Sequence, residues 1–146
     1  SHGVYSGSAF EYQGHLYYMY TGNHRDQHWH RFSTQMIARM KDDGTIEKFP
    51  KPVIQAQPAG YTSHFKDPKV FKKNGQLCAI LGAQTDTEFG RLLLYSSKDI
   101  VNWHFEGEIK TQLTEFGYMW ECPDYFEIDR HDVILFCPSG LQSLVC

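Results

Sequence analysis

Runs of β-branched, aromatic and aliphatic residues, each of the length of a strand, alternate with short polar turns along this chain. The runs that predict β-strands are residues 16–21, 34–40, 45–49, 69–72, 77–81, 91–96, 125–128 and 133–136. The predicted hairpin turns are Gln13-Gly14, Asp43-Gly44 and Asn74-Gly75, because such pairs favour tight turns between strands. Strands this short and this closely spaced predict a sandwich, a barrel or a propeller.

A sequence repeat occurs three times, and each copy has the pattern of an aromatic-rich strand, a tight polar turn and an apolar strand. The copies cover residues 7–23, 67–84 and 122–140 and align on Phe10, Phe71 and Phe126. A repeat of about 55 to 60 residues is closest to the propeller-blade class, in which one unit is too small to bury its own hydrophobic face. The repetition therefore favours a propeller over a sandwich or a barrel.

The predicted fold class is all-β, a partial β-propeller of about two and a half blades. Blade-like units of a single domain are predicted at about residues 7–49, 67–108 and 122–146, and the third unit has only two strands. A closed propeller needs at least four blades, so strand edges and an apolar inter-blade face are left open in this chain. We therefore expect the chain to be a fragment of a larger propeller, or to cover these faces by self-association.

The residues in front of the three copies carry the candidate chemistry. These residues are Tyr5-Ser6, Lys66-Asp67 and Glu121. Equivalent positions of successive blades approach one another around the central channel of a propeller. We therefore predict that these polar side chains face one pocket, although they are distant in sequence.

Composition narrows the class of partner. The 146-residue chain has a formal net charge of −3 and a pI of about 6.2, so we expect neither a nucleic acid nor a membrane as a partner. Its four cysteines show no Cys-x-x-Cys spacing, and three of them lie in apolar, strand-like contexts where buried free thiols are common. The expected location is the cytoplasm. The aromatic content of 15% suits packed strands and equally a sugar-binding pocket.

Five segments of the chain carry a resemblance to a known family. They are residues 3–9 (GVYSGSA), 20–23 (YTGN), 60–70 (GYTSHFKDPKV), 81–84 (LGAQ) and 117–124 (GYMWECPD). In this order they resemble glycoside hydrolase family 32, the invertase and sucrose-6-phosphate hydrolase family. The resemblance implies a five-bladed catalytic propeller and retaining hydrolysis of β-fructofuranosides. It implies a sugar substrate (sucrose 6-phosphate, sucrose or a fructan), and neither a cofactor nor a metal.

Retaining hydrolysis needs a carboxylate nucleophile and a carboxylic acid about 5 Å away, with the pKa of the acid raised towards the working pH. Glu121 is the candidate acid, and its apolar neighbours Trp120 and Cys122 are expected to raise its pKa by desolvation. The resemblance implies that Asp67 hydrogen-bonds sugar hydroxyls and stabilises the transition state. It also implies a nucleophile in an Asn-Asp-Pro-type motif, which this sequence lacks and which we expect upstream of Ser1.

The resemblance implies three substrate-binding residues beside this pair. Tyr5 and Ser6 match positions that contact the substrate on the floor of the pocket. Lys66 stands where most members of the family have arginine. Lysine keeps the positive charge but lacks the planar fork with which arginine holds a carboxylate at two points, so the resemblance leaves open whether substrate placement, or the substrate itself, follows the usual family member.

Three histidines, His24, His28 and His30, lie close together in the sequence beside Arg25 and Trp29. No cysteine or carboxylate completes a recognised metal-ligand spacing with them, so we expect a polar loop at the rim of the pocket rather than a metal site. Arg25 and these histidines are candidate ligands for a sugar phosphate.

Two other functions are compatible with the sequence. A non-catalytic sugar-binding propeller would keep the blades and the aromatic floor without a nucleophile. An inverting hydrolase of a neighbouring propeller family, such as the arabinanases, would keep an acid and a base. An Asn-Asp-Pro segment in front of Ser1 favours retaining hydrolysis over both alternatives.

Overall fold

The computed structural model describes residues 3–141, and all of its regular elements are strands. The strands are β1 (Gly3–Tyr12), β2 (His15–Arg25), β3 (Arg31–Met40), β4 (Ile46–Lys48), β5 (Tyr61–Lys73), β6 (Gln76–Thr85), β7 (Gly90–Ser97), β8 (Trp103–Glu108), β9 (Met119–Ile128) and β10 (His131–Ser139). No helix in this part of the chain could cross a membrane. The five residues after Leu141 belong to the third predicted unit but lie outside the described residues.

The ten strands form three antiparallel sheets, and within each sheet the strands that are consecutive in the chain pair with each other. The first sheet contains β1 to β4, the second contains β5 to β8, and the third contains β9 and β10. This confirms the all-β prediction, and the meander of four strands in each complete sheet is the arrangement of a propeller blade.

The first hairpin of each sheet closes with a two-residue turn. Gln13 and Gly14 have φ angles of 50° and 79°, and Asn74 and Gly75 have φ angles of 51° and 78°. Two successive positive φ angles are typical of a type I′ turn, whose twist matches that of the flanking strands. These two predicted turns are confirmed, whereas Asp43-Gly44 lies in a longer connection in which the Lys41 N–H donates to the Thr45 carbonyl at 2.9 Å.

The innermost strand of each sheet carries a β-bulge at the same stage of the hairpin. Strands β1, β5 and β9 each have one more residue than the partner strand over a short stretch. These stretches are residues 4–7, 66–69 and 121–124. A bulge inserts one unpaired residue and turns the neighbouring side chains. Asp67 and Cys122 accordingly have φ angles of 60° and 47°, in the left-handed region.

These bulges explain why the innermost strands begin earlier than the sequence predicts. Strand β5 begins at Tyr61, although the predicted run begins at residue 69, and β9 begins at Met119. Pro68 and the polar residues before it resemble a strand terminus in the sequence. In the structure they are bulge residues inside one long strand.

Two hydrophobic cores hold the three sheets together. The core between the first and second sheets contains the fully buried Met19, Ile37, Phe65 and Leu81. The core between the second and third sheets contains Ile80, Leu92 and Trp120, against which Tyr125, Ile134 and Phe136 pack. Ile80 and Leu81 serve different cores because successive side chains of a strand point to opposite faces. Each large side chain contributes about 1.5–3 kcal/mol by its burial.

A glycine sets the distance between the second and third sheets. Gly82 pairs with Lys66 across β5 and β6. A Cβ atom on Gly82 would lie 2.0 Å from the carbonyl oxygen of Trp120, so only glycine permits this approach. The contact brings Glu121, the residue after Trp120, next to Lys66.

Candidate active site

The bulges of the three innermost strands meet in one open cleft of about 510 Å³. Its lining residues are Val4, Tyr5, Ser6, Arg31, His64, Lys66, Asp67, Glu121 and Cys122. All five predicted site residues therefore lie together, as expected for equivalent positions of successive blades. Each of the three sheets contributes part of the lining.

Asp67 is the most deeply held of the polar side chains, with 4% of its surface exposed. Its backbone N–H donates to the Thr21 hydroxyl at 3.0 Å, and that hydroxyl donates to Gln35 at 2.7 Å. Its carboxylate accepts the backbone N–H of Cys122 at 3.1 Å. These contacts connect Asp67 to the first and third sheets and fix the carboxylate in the cleft.

Lys66 links the two carboxylates of the cleft. Its ammonium group donates to Glu121 Oε1 and lies 3.4 Å from Asp67 Oδ2. The second carboxylate oxygen of Glu121 accepts the hydroxyl of Ser139 on β10 at 2.5 Å. One cation from the second sheet therefore holds carboxylates of two sheets within its reach.

The ion pair shifts both titrations. The hydrogen bonds from Lys66 and Ser139 lower the pKa of Glu121 below its ordinary value. Burial alone would lower the pKa of Lys66, but the hydrogen bond to Glu121 and the charge of Asp67 raise it overall. Both groups are therefore charged at neutral pH.

The expectation that apolar neighbours raise the pKa of Glu121 is wrong for this structure. Trp120 points away from the cleft and stacks on Phe136, with ring centroids 4.4 Å apart. Neighbours along a regular strand alternate between its faces, so Trp120 does not surround the carboxylate, whereas Cys122 at the bulge lines the same cleft. Burial still acts to raise the pKa of Glu121, but the hydrogen bonds from Lys66 and Ser139 outweigh it.

Tyr5 and Ser6 form the part of the cleft that the first sheet contributes. The Lys66 ammonium lies over the Tyr5 ring, 5.9 Å from its centroid. Such a cation–π contact is electrostatically favourable and orients the ring. The bulge of β1 therefore places an aromatic face and a hydroxyl beside the charged pair, which suits a sugar ring with apolar and hydroxyl surfaces.

Four cleft residues were not predicted as site residues from the sequence, and two of them, Arg31 and His64, contact each other. Arg31, the first residue of β3, has its Nη1 atom 3.1 Å from the Nδ1 atom of His64 on β5. Burial, together with the positive charges of Arg31 and Lys66, lowers the pKa of His64. The only indication in the sequence that His64 belongs to the site is its position two residues before Lys66, within the segment 60–70 that resembles the family.

The histidine-rich segment spans the end of β2 and the turn between β2 and β3. Asp26 accepts the backbone N–H groups of His28 at 2.8 Å and of His30 at 2.9 Å, so the turn is held by its own side chain. Arg25 donates to the carbonyl of Trp29 at 2.7 Å. In the described part of the chain, the predicted phosphate ligands Arg25, His24, His28 and His30 do not line the cleft. Arg31 does line it.

The structure also locates the cysteines. Cys78, Cys122 and Cys137 are free thiols, and Cys146 lies outside the described residues. Cys122 and Cys137 are exposed: Cys122 lines the cleft, and Cys137 lies on β10, which no further strand of residues 3–141 covers. In the same residues, no group of three His, Cys, Asp or Glu side chains is arranged to hold a metal ion. The cytoplasmic location stays a prediction.

Comparison with known sequences identifies the family of the chain. The model of the glycosyl hydrolases family 32 N-terminal domain matches residues 1–145. The sucrose-6-phosphate hydrolase of Staphylococcus xylosus is 62% identical over 143 residues, which cover 98% of this chain and 29% of the relative. The sucrose-6-phosphate hydrolase of Bacillus subtilis is 42% identical over 145 residues, which cover 97% of this chain and 30% of the relative.

Solved structures give the same result. The sucrose-6-phosphate hydrolase of Lactobacillus gasseri has a TM-score of 0.90 and 42% identity, over 96% of this chain and 29% of that one. A Bombyx mori β-fructofuranosidase variant in complex with sucrose has a TM-score of 0.84 and 32% identity, over 97% of this chain and 31% of that one. The chain thus spans about 30% of the length of these proteins. The match of the family model and these similarities show that the chain belongs to glycoside hydrolase family 32, within the N-terminal domain.

Proposed function

We propose that the full-length protein that carries this chain hydrolyses the β-fructofuranosidic bond of sucrose 6-phosphate or sucrose with retention. One observation carries this proposal: two carboxylates from different sheets, Asp67 and Glu121, are held in one cleft by the ammonium group of Lys66. The similarity to sucrose-6-phosphate hydrolases supports the substrate class.

Each carboxylate has a separate task in the proposed reaction. Glu121 is the less buried of the two and gives the leaving oxygen its proton. Asp67 is buried and fixed, so it accepts hydrogen bonds from sugar hydroxyls that strengthen as positive charge develops on the fructosyl ring. Tyr5 and Ser6 contact the same ring from the first sheet.

The nucleophile is proposed to come from an Asn-Asp-Pro-type segment outside this sequence. A third carboxylate next to Glu121 would raise its pKa, because two like charges disfavour ionisation of the second. Substrate that separates Glu121 from Lys66 would act in the same direction. The lowered pKa of Glu121 in the 146-residue chain therefore describes the site without the nucleophile and without the substrate.

Product stereochemistry tests the proposed function. We expect the full-length protein to release fructose first as the β-furanose, which proton NMR detects before mutarotation. Release of the α-anomer would indicate inversion, as expected for an arabinanase-like hydrolase. Sucrose binding without fructose release would indicate the non-catalytic sugar-binding propeller.

Replacing Lys66 is expected to move the pH profile of the full-length protein. Activity falls as pH rises through the pKa of the general acid, and Lys66 lowers that pKa. Lys66→Met should therefore shift the basic limb of kcat/KM to higher pH, and Lys66→Arg should leave it near its original position and keep the activity. An unmoved limb in Lys66→Met, or a large loss of activity in Lys66→Arg, would contradict this role.

The 146-residue chain alone is expected to release no fructose and to self-associate. It lacks the proposed nucleophile, and a retaining mechanism cannot form its covalent intermediate without one. An apolar groove on the outer face of the first sheet is lined by Val4, Tyr18, Tyr20, Ala38, Ile46 and Lys48. Exposed apolar surface of this kind favours association.

Light scattering across a concentration series tests the association. Ile46→Lys, at a residue 48% exposed in the groove, should weaken the association. Val101→Lys is the matched control, because Val101 is 47% exposed and lies in the connection between β7 and β8, outside the groove. A stable monomer at high concentration would contradict the association, and fructose release lost in Glu121→Gln would reveal a nucleophile within these residues.

A further inference from the structure

We propose that Arg31 and His64 form a subsite that binds the phosphate group of a sugar phosphate at the edge of the cleft. The proposal rests on the proposed function, since it names the feature of the substrate that this site selects. It assigns phosphate recognition to two side chains that no step of the hydrolysis itself requires.

Arg31 is a cation in the cleft without a compensating charge. Arg31 forms no ion pair within residues 3–141, whereas Lys66 is paired with both Asp67 and Glu121. The Nε atom of Arg31 is buried and has no hydrogen-bond partner in this part of the chain. A partly buried cation that lines a cleft without an ion-pair partner favours an anionic ligand there.

The contact with Arg31 fixes the protonation of His64. A guanidinium group only donates hydrogen bonds, so the Nδ1 atom of His64, 3.1 Å from Arg31 Nη1, must be the acceptor. Burial favours the neutral imidazole, which then carries its proton on Nε2. His64 therefore offers a second, oriented N–H donor beside the guanidinium group.

A phosphate monoester fits this pair of donors. The planar fork of arginine matches two oxygens of a phosphate group, and the imidazole N–H can reach a third acceptor. Sugar hydroxyls are uncharged and give no reason for an uncompensated arginine in a cleft. The relatives that carry the name sucrose-6-phosphate hydrolase indicate that a phosphorylated sugar is the relevant anion.

Substrate preference in the full-length protein tests the subsite. We expect Arg31→Leu to lower kcat/KM for sucrose 6-phosphate by about 100-fold, as for loss of hydrogen bonds to a charged group, and to change kcat/KM for sucrose by less than about 3-fold. His64→Phe should lower the value for sucrose 6-phosphate by about 10-fold. Arg31→Lys, which keeps the charge but not the fork, should have an intermediate effect.

Arg39 provides a matched control on the same strand. Its Nε atom is also buried without a partner, and its Nη2 atom lies 3.0 Å from Nδ1 of His15. Arg39 does not line the cleft described above. Arg39→Leu should therefore leave the preference for sucrose 6-phosphate over sucrose unchanged.

Calorimetric binding in a Glu121→Gln background separates this proposal from the proposed function, because it does not require turnover. Arg31→Leu should weaken binding of sucrose 6-phosphate by about 100-fold and leave the affinity for sucrose within about 3-fold. Equal effects on the two sugars, or none on either, would overturn the subsite. Absence of hydrolysis in the unmutated protein, with this selective binding intact, would instead overturn the proposed hydrolase and leave the subsite standing.

Discussion

Glu121→Gln is expected to lower kcat for sucrose in the full-length protein by about 10²- to 10⁴-fold. The amide keeps the shape of the side chain and can still accept from Lys66 or Ser139, but it cannot donate a proton to the leaving oxygen. The loss should be much smaller for the first step with a fructoside that has an activated leaving group, because such a group departs without a proton. Pre-steady-state kinetics of that first step measures the difference.

Glu127→Gln is the matched control for this prediction. Glu127 lies on the same strand as Glu121 and is exposed, outside the cleft lining. We expect its kinetics to equal those of the unmutated protein. Equal losses of the first step on both kinds of fructoside in Glu121→Gln would count against Glu121 as the acid.

Asp67→Asn is expected to lower kcat by about 10²- to 10³-fold, the range found when one stabilising group of a transition state is removed. The value of KM should change by less than about 10-fold, since the lost interactions strengthen mainly in the transition state. Asparagine tolerates the left-handed backbone at this position and can still accept the Cys122 N–H, so the fold should survive.

Asp124→Asn controls for the removal of a carboxylate close to the cleft. Asp124 is exposed and paired with Lys69 at 2.7 Å, at the far end of the β9 bulge. This substitution should have little effect on kcat, because exposed ion pairs contribute little and the residue does not line the cleft. A rise in KM without a fall in kcat for Asp67→Asn would show that Asp67 only binds the ground state.

The sequence predicted that five distant residues of the cleft lie together because the repeat carries structural information. Tyr5, Lys66 and Glu121 precede equivalent hairpins, and a radial arrangement of hairpins brings equivalent positions together. The type I′ turns at Gln13-Gly14 and Asn74-Gly75 were predictable for a local reason, since few residues adopt two positive φ angles.

The electrostatics of the site could not be predicted in the same way. The pKa of Glu121 depends on Lys66 and Ser139, which lie 55 and 18 residues away in the chain. The bulges were missed because Asp67-Pro68 looks like the end of a strand when the partner strand is unknown. Arg31 was missed because nothing in its sequence context shows that, from the first sheet, it contacts His64 of the second sheet.

A crystal structure of the full-length Glu121→Gln variant with sucrose tests the central claim most directly. We predict that the fructosyl ring lies in the cleft, with its hydroxyls within about 3.2 Å of the Asp67 carboxylate and its glycosidic oxygen facing position 121. Tyr5 and Ser6 should contact the same ring. Sucrose bound elsewhere, or in the cleft with its glycosidic oxygen turned away from position 121, would contradict the account.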